Sequence, residues 1–474
     1  MGNQSAQNLR WFVILLIVIN ASLAIYSTPV TDLGDAPAYI LLSKVILGEA
    51  EANLGHRSPL FSIILAGLML IFSQPLVFDI VVVMHYFLIG VTAWMIFSIF
   101  RPLFTGTGLP VLIALLFNLS LSTLFYANFM ATEILTIFFL TSAVYWLLRI
   151  YEKLTYRDVI ILSVFLALLS LARYNAIPLV VTFTLLLGYF LYRNRITLSK
   201  SVYYLVLFLV PYLLIINLWC LYNYKNNDFY GLFPRTSGVP RNAVVSSIHP
   251  GNEVSEGYKP VLEIFLDARE QYFGQRPTRT RGSLAKFDVI GLLDDLYSGY
   301  PIYLIARSDL REHFGITEDE GEYEMGLALS GFYREIYDQN RAFMLKMRFT
   351  SFFSGFRAAG TSLPVEYGSI NTNVLPSFVF AMHKVGILFI SVFVFCSVFV
   401  FLWETFRNKF RPNIYLLIFF AVVFSFWGIN FYFITANDAN RFTYPAELFI
   451  FGLFVYYGYE GIHWLKTKYK SNER

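Results

Sequence analysis

Residues 11–60 read WFVILLIVINASLAIYSTPVTDLGDAPAYILLSKVILGEAEANLGHRSPL, and they join an apolar segment to a polar loop. The apolar segment, 11–27, approaches the length of about 20 residues that a membrane-crossing helix needs. We interpret it as an uncleaved first span, since no convincing small-residue cleavage site follows it. The loop, 31–60, is too polar to enter a bilayer and carries Asp32, Asp35 and Arg57. In a chain otherwise built of apolar helices, we expect the chemistry to lie in this loop.

The composition favours a multi-pass helical membrane protein. Of the 474 residues, 57% are hydrophobic and only 14% are charged, and the mean hydropathy is +0.56. Soluble domains carry roughly 25% charged residues. A formal net charge of +4 is too small to indicate a nucleic-acid partner. The two cysteines, Cys220 and Cys396, lie inside apolar segments, so neither a disulfide nor a zinc site is predicted.

Eleven apolar segments and the basic loops between them predict the topology. The segments are 11–27, 59–73, 76–100, 109–126, 133–150, 158–172, 176–192, 201–223, 375–403, 412–434 and 444–465. Basic residues mark four cytoplasmic stretches: Arg149–Arg157, Arg193–Lys200, Arg407–Arg411 and the tail after Trp464. The counts from the two ends agree only if 59–73 does not cross. We therefore expect an interfacial or re-entrant helix there, about ten crossings and two cytoplasmic termini; the alternative is a short true span with a miscounted neighbour.

The same pattern divides the chain into three parts. These are an N-terminal membrane module (1–223) with a first outer loop (28–75), a large hydrophilic region (224–372) and C-terminal membrane helices (373–474). We expect the hydrophilic region to be α-rich but mixed and to lie outside. It includes one helix predicted from about Glu322 to Met347, acidic at its start and basic at its end, as the helix dipole favours.

Asp35 is the first candidate for chemistry. A helix is predicted directly after it, with Asp35 at the N-cap, Pro37 in the first turn and Gly48 closing the helix. The apolar face of this helix, which includes Tyr39, should lie flat on the membrane interface. Asp35 is either a helix cap or a general base that activates an acceptor hydroxyl or amine. Asp32 is the alternative base.

Arg57 and Glu133 are predicted on the same side of the membrane as Asp35. Arg57 either contacts lipid headgroups or clamps a phosphate with its two-pronged guanidinium. Glu133 begins a span, where a carboxylate either favours the helix amino end or converges with Asp35 on a substrate or a divalent cation, Mg²⁺ or Mn²⁺. No other metal ligands are indicated.

Two more polar elements fall on this side. Arg173-Tyr174-Asn175 interrupts two apolar helices, which is typical of a polar hairpin turn but also provides a cation. Arg441 lies near the start of the last span, either as an interfacial anchor or as a ligand for a phosphate. The chain has no P-loop and no glycine-rich dinucleotide turn. Any group transfer would therefore use a substrate that is already activated.

Five short motifs follow one another on this predicted side. They are Asp35-Ala-Pro-Ala-Tyr39, Arg57-Ser-Pro-Leu60, Glu133-Ile-Leu135, Trp219-Cys-Leu-Tyr222-Asn223 with Tyr230-Gly231, and Asn440-Arg-Phe-Thr-Tyr-Pro445. In this order they resemble the GT-C superfamily of integral-membrane glycosyltransferases, and within it the lipid A aminoarabinose transferase and protein O-mannosyltransferase types. Two positions depart from that pattern. Ala36 replaces the second acid of the first motif, and Tyr222 replaces the arginine of the fourth.

The resemblance implies an inverting transfer at the outer face of a bacterial inner (plasma) membrane. The donor would be a sugar linked to a polyprenyl phosphate, and the acceptor an outward-facing lipid, glycan or protein. No cofactor is certain, and members of the superfamily differ in their need for a metal.

The resemblance also implies roles for individual residues. Asp35 would deprotonate the acceptor. Arg57 and Arg441, with Arg173, would stabilise the departing lipid phosphate, and Glu133 would orient the acceptor or bind a metal. Tyr174 and Asn223 would complete the substrate-binding set.

Three other functions remain open at this point. An O-antigen polymerase or ligase would use the same kind of donor, but usually relies on arginine and histidine in its large outer loop. A transporter of lipid or solute needs ionisable groups near the bilayer midplane and often has repeated halves. The charged residues here are predicted at the interfaces, which disfavours transport. A non-catalytic scaffold is the third alternative, because of Ala36 and Tyr222.

Overall fold

The computed structural model describes residues 2–32, 35–51, 57–227, 229–232, 241–274, 289–317, 321–354, 377–408, 412–433 and 444–472. Within these ranges the chain is helical and forms no strand, apart from an isolated parallel bridge between Val30 and Phe129. The helices are α1 (Gly2–Ile25), α2 (Ala36–Leu47), α3 (Leu60–Met69), α4 (Gln74–Phe100), α5 (Gly108–Asn118), α6 (Leu121–Asn128), α7 (Glu133–Glu152), α8 (Tyr156–Ala172), α9 (Pro178–Arg193), α10 (Leu198–Asn227), α11 (Arg241–Ser247), α12 (Lys259–Gly274), α13 (Val289–Phe314), α14 (Gly321–Ala328), α15 (Ser330–Gln339), α16 (Arg341–Ser354), α17 (Ser377–Arg407), α18 (Ile414–Phe433) and α19 (Glu447–Asn472).

Five helical stretches in the described ranges are long and apolar enough to cross a membrane. They are Gln74–Leu103, Glu133–Glu152, Tyr174–Arg193, Leu198–Asn226 and Leu388–Arg407. A sixth is present if the bent pair Gly108–Asn118 and Ser122–Asn128 forms one span. An α-helical architecture with several helices that could cross a membrane is therefore confirmed. The expected number of about ten crossings and the side of each loop stay predictions.

The apolar segment 109–126 is not the continuous helix that the sequence predicts. It is divided between α5 and α6, which are bent by 46° relative to each other. The hydroxyl of Ser120 accepts a hydrogen bond from the backbone N–H of Thr123 at 3.1 Å and so caps α6. Beside the break, Asn118 Oδ1 accepts a hydrogen bond from Asn20 Nδ2 at 2.9 Å. Short polar side chains compete with the backbone for its hydrogen bonds, which explains a break inside an apolar segment.

The helix predicted after Asp35 is present with the predicted limits. It begins at Ala36 with Pro37 in its first turn and ends at Gly48. Gly48 has a φ of 75°, a left-handed conformation in which glycine pays no steric penalty. The backbone N–H of Gly48 donates to the carbonyl of Val45 at 3.0 Å, which closes the last turn.

The apolar face of α2 packs on α3, while its predicted position at the membrane interface stays a prediction. The rings of Tyr39 and Phe61 meet edge to face at 5.7 Å, and both side chains are buried. Ser62 Oγ donates a hydrogen bond to the carbonyl of Tyr39 at 2.9 Å. The two helices of the first loop therefore cover each other.

α3 has 10 residues, or about 15 Å of helix. This length is too short to cross a hydrocarbon core of about 30 Å.

A second group of buried apolar residues lies apart in the chain from the membrane helices. It is formed by α11 to α16, with Phe265 and Phe332 stacked at 5.5 Å near its centre. The single helix predicted for 322–347 is wrong: α14 ends at Ala328, α15 ends at Gln339, and α16 follows. Each short helix turns separately, so that Met325, Phe332, Ile336 and Met347 all reach the same core. Local charge pattern cannot reveal such breaks, because tertiary packing produces them.

The last helix of this group also contacts the membrane helices. Phe352, near the end of α16, lies with its ring centroid 6.0 Å from that of Trp427 in α18 and 6.4 Å from that of Phe395 in α17. The hydrophilic region is thus joined to the bundle by aromatic packing as well as by the chain.

Gly452 in α19 provides a test of the packing between α19 and α4. A Cβ atom at this position would collide with the ring of Phe100, which is fully buried and lies 4.7 Å from the ring of Phe419. Gly452→Ala should therefore lower the thermal unfolding midpoint in detergent, by a destabilisation of about 1–3 kcal/mol. Gly458→Ala is the matched control, since it makes the same gain in helix propensity and its Cβ meets nothing within 4 Å. Equal midpoints for the two variants would contradict this packing.

Candidate functional site

The carboxylate of Asp35 is engaged by Arg57 and not by the helix that follows it. Arg57 Nη1 donates to Asp35 Oδ1 at 2.7 Å, whereas α2 receives no capping hydrogen bond from the Asp35 side chain. The side chain of Asp35 remains 25% exposed and that of Arg57 30% exposed. Of the two explanations that the sequence left open, the structure argues against a simple cap. The Asp35–Arg57 ion pair instead joins the two ends of the first loop.

Tyr174 holds the Arg57 end of this pair. Its hydroxyl donates to the backbone carbonyl of Arg57 at 2.7 Å and accepts a hydrogen bond from Trp219 Nε1 at 3.0 Å. The same indole N–H lies 3.3 Å from the carbonyl of Leu232, just past α10. The first loop, the turn after α8 and the end of α10 therefore meet at one hydroxyl group.

The start of the first loop is anchored to the segment before Glu133. The backbone N–H of Val30 donates to the carbonyl of Asn128 at 2.8 Å, and the N–H of Met130 donates to the carbonyl of Val30 at 3.1 Å. At the other end of the loop, the hydroxyls of Tyr39 and Ser58 lie 3.3 Å apart. Backbone and side-chain bonds thus fix the loop at both ends.

Glu133 and Arg173 form a second ion pair of different character. Arg173 Nη1 lies 3.4 Å from Glu133 Oε1, and the side chains are 8% and 1% exposed. Removing one partner of a buried pair typically costs about 3–5 kcal/mol, because the other charge is left buried. A partly exposed pair contributes only about 0–1 kcal/mol. The buried pair is therefore structural, whereas the Asp35–Arg57 pair can exchange partners at little cost.

The structure brings most of the predicted site residues together. Arg57 contacts both Asp35 and Tyr174, and the Glu133–Arg173 pair is joined to them through the peptide bond between residues 173 and 174. Asp32 lies on the same loop with its side chain exposed.

Asn223 is bonded to the turn that follows α10. Asn223 is buried, and its amide donates to the carbonyls of Gly231 at 2.8 Å and Leu232 at 3.4 Å. These bonds hold the turn after α10, so its predicted substrate contact would compete with them. Arg441 lies outside the described residues.

The predicted sharing of a divalent cation by Asp35 and Glu133 does not fit this arrangement. Each carboxylate faces a guanidinium, and a cation placed beside it would be repelled. Among the described residues, no group of three or more His, Cys, Asp or Glu side chains is arranged to hold a metal ion.

Two functional features of this region escaped the sequence reasoning. Trp219 was recognised as part of a motif but given no role, although it supports Tyr174. Glu447 opens α19 with its side chain 4% exposed. The signal that singled out Glu133, a carboxylate at the start of an apolar span, applies equally to Glu447.

Comparisons of the chain with protein-family models, with curated proteins and with solved structures found no match. The resemblance of the sequence motifs to a glycosyltransferase superfamily therefore stays a prediction.

Tyr174→Phe tests whether the hydroxyl of Tyr174 fixes the first loop. The variant loses one hydrogen bond to the carbonyl of Arg57, while the ring and the second acceptor of Trp219 remain. Hydrogen exchange of the segment that includes Arg57 should become about fivefold faster, as expected for one net hydrogen bond. Tyr192→Phe is the control, because Tyr192 is 81% exposed. The anchoring role fails if the two variants exchange at the same rate.

Proposed function

We propose that this chain is a membrane-embedded glycosyltransferase that moves a sugar from a polyprenyl-phosphate carrier to an acceptor at the outer face of the membrane. The observation that carries the proposal is the partly exposed Asp35–Arg57 pair on the first loop, held by Tyr174. A base for the acceptor and a cation for a phosphate are thereby next to each other. Glycosyl transfer from a phosphate carrier requires both groups.

The proposed reaction is a single inverting displacement. A hydroxyl or amine of the acceptor attacks the anomeric carbon of the sugar opposite the phosphate, and the bond from that carbon to the phosphate oxygen breaks. The bonding electron pair leaves with the polyprenyl phosphate. Asp35 takes the proton of the acceptor as general base, and Arg57 stabilises the negative charge on the leaving phosphate.

Partner exchange by Arg57 would link donor binding to activation of the base. In the arrangement described above, Arg57 neutralises Asp35 at 2.7 Å. A phosphate offers several acceptor oxygens and suits the planar guanidinium in a two-pronged contact. When the donor phosphate takes Arg57, the carboxylate loses its cation and becomes available to the acceptor. The small contribution of a partly exposed pair to stability makes this exchange feasible.

We assign the reaction to the side of the membrane that the basic loops predict as outside. Arg149 lies in the last turn of α7, Lys153 and Arg157 follow it, and Glu133 lies at its amino end. Under the positive-inside rule the Asp35 group is then outward-facing, in a bacterial inner membrane with both termini in the cytoplasm. Arg441 completes the proposal as a second cation for the phosphate.

Asp35→Asn is the direct test of the base. The amide keeps the size of the side chain and cannot accept a proton, so the turnover number should fall by about 10²- to 10⁴-fold. The measurement is release of polyprenyl phosphate from a panel of labelled polyprenyl-phosphate sugars by the purified full chain. Asp32→Asn is the matched control on the same loop and should retain near-wild-type turnover. The base assignment is wrong if the two results are reversed, and the proposed function fails if no donor in the panel is used.

Arg57 variants separate phosphate binding from proton transfer. Arg57→Gln should raise the KM for the donor and lower the turnover, whereas Arg57→Lys should recover part of both because it keeps the charge but not the fork. Lys44→Gln is the control, because it removes a cation that lies on the same loop but does not contact Asp35. It should leave the KM for the donor and the turnover number within about twofold of the wild-type values. Equal effects of Arg57→Gln and Lys44→Gln would contradict the phosphate role.

A further inference from the structure

A polar cavity lies at the opposite end of α7 from the Asp35 group. It has a volume of about 620 Å³ and is lined by the carboxyl end of α7, the amino end of α8, the end of α4 and Tyr415 at the start of α18. Arg149 follows Glu133 by about four turns of one helix, or about 24 Å along its axis. None of the residues lining this cavity belongs to the Asp35 group.

Three cations surround this cavity. Arg149, Lys153 and Arg157 line it, and in the part of the chain that the structure describes none of them forms an ion pair. The Arg149 guanidinium lies 4.7 Å from the centre of the Trp146 ring, so stacking holds its position.

The two carboxylates of the lining do not neutralise these cations. Glu152 Oε1 accepts a hydrogen bond from the Tyr415 hydroxyl at 2.9 Å. Asp158 is buried in the first turn of α8, where the helix dipole favours a carboxylate, and its backbone N–H donates to Thr155 Oγ1 at 3.1 Å. With three cations against these two carboxylates, the lining keeps a formal net charge of +1.

We propose that this cavity binds a phosphate ester through Arg149, Lys153 and Arg157. Its volume lies in the range of about 300–1,000 Å³ that is typical of small-molecule sites. A basic pocket between membrane helices, beside the ring of Trp146, suits the headgroup of an anionic lipid. A soluble phosphate ester would offer the same chemistry.

This site is independent of the proposed glycosyltransferase activity. It lies on the side that the basic loops predict as cytoplasmic, where those residues otherwise serve only as topology determinants. Loss of the cavity cations should therefore leave the Asp35 group unchanged, and loss of Asp35 should leave binding in the cavity unchanged.

The test compares two triple variants of the full chain. One removes the cavity cations (Arg149→Gln, Lys153→Gln and Arg157→Gln). The matched control removes three cations from the next loop on the same predicted side (Arg193→Gln, Arg195→Gln and Lys200→Gln), none of which lines the cavity. Because both variants lose three positive charges from cytoplasmic loops, any general effect on membrane insertion is shared.

Two probes distinguish the sources of phosphate. Native mass spectrometry of the detergent-purified chain measures retention of phosphatidic acid against phosphatidylcholine, and calorimetry measures binding of inorganic phosphate. The affinity for at least one of the two probes should fall by about tenfold or more in the cavity variant and by less than about twofold in the control variant. Binding of phosphatidic acid alone identifies a lipid headgroup, and binding of inorganic phosphate identifies a site that needs no lipid. No binding in either arm, or equal losses in the two variants, would overturn the proposal.

Discussion

The hydroxyl of Tyr174 is the contact on which the arrangement of the candidate site depends. It donates to the backbone of Arg57 and accepts from Trp219, so it joins three parts of the chain that are far apart in sequence. Fixing the carbonyl of Arg57 fixes the origin of its side chain, and this in turn determines which anions the guanidinium can reach.

The two ion pairs near this hydroxyl differ in burial, and burial decides what each can do. Glu133 and Arg173 are almost fully enclosed, so separating them would leave a charge without water. Asp35 and Arg57 keep a quarter or more of their side-chain surface exposed, so water or an anionic ligand can replace either partner. The buried pair gives the region its shape, and the accessible pair provides groups that can react.

The sequence predicted local features well and long-range contacts poorly. The limits of α2 follow from Pro37 and Gly48, whose backbone preferences act within a few residues. The break in 109–126 was missed because hydropathy averages over Asn118 and Ser120. The apolar face of α2 was correctly identified, but its partner was not, since nothing in the local pattern of Tyr39 distinguishes lipid from α3.

In the candidate site, the sequence likewise indicates which residues are candidates but not which of them pair. Polar residues in an apolar chain stand out, and for this reason Asp35, Arg57, Glu133, Arg173 and Tyr174 could all be named before any contact was known. Their pairing could not be predicted, because it depends on how α3, α8 and α10 pack.

The cations at the far end of α7 illustrate a related limitation of topology rules. Arg149, Lys153 and Arg157 are expected near the cytoplasm whether or not they bind a ligand. The positive-inside rule alone therefore accounts for their presence. The cavity that they line and the stacking of Arg149 on Trp146 distinguish them from an ordinary basic loop. α7 has the buried carboxylate of Glu133 in its first turn and Arg149 in its last turn. This one helix therefore separates the two polar regions by about 24 Å, most of the roughly 30 Å thickness of a hydrocarbon core. Two sites with different chemistry can therefore coexist on one bundle without sharing a side chain.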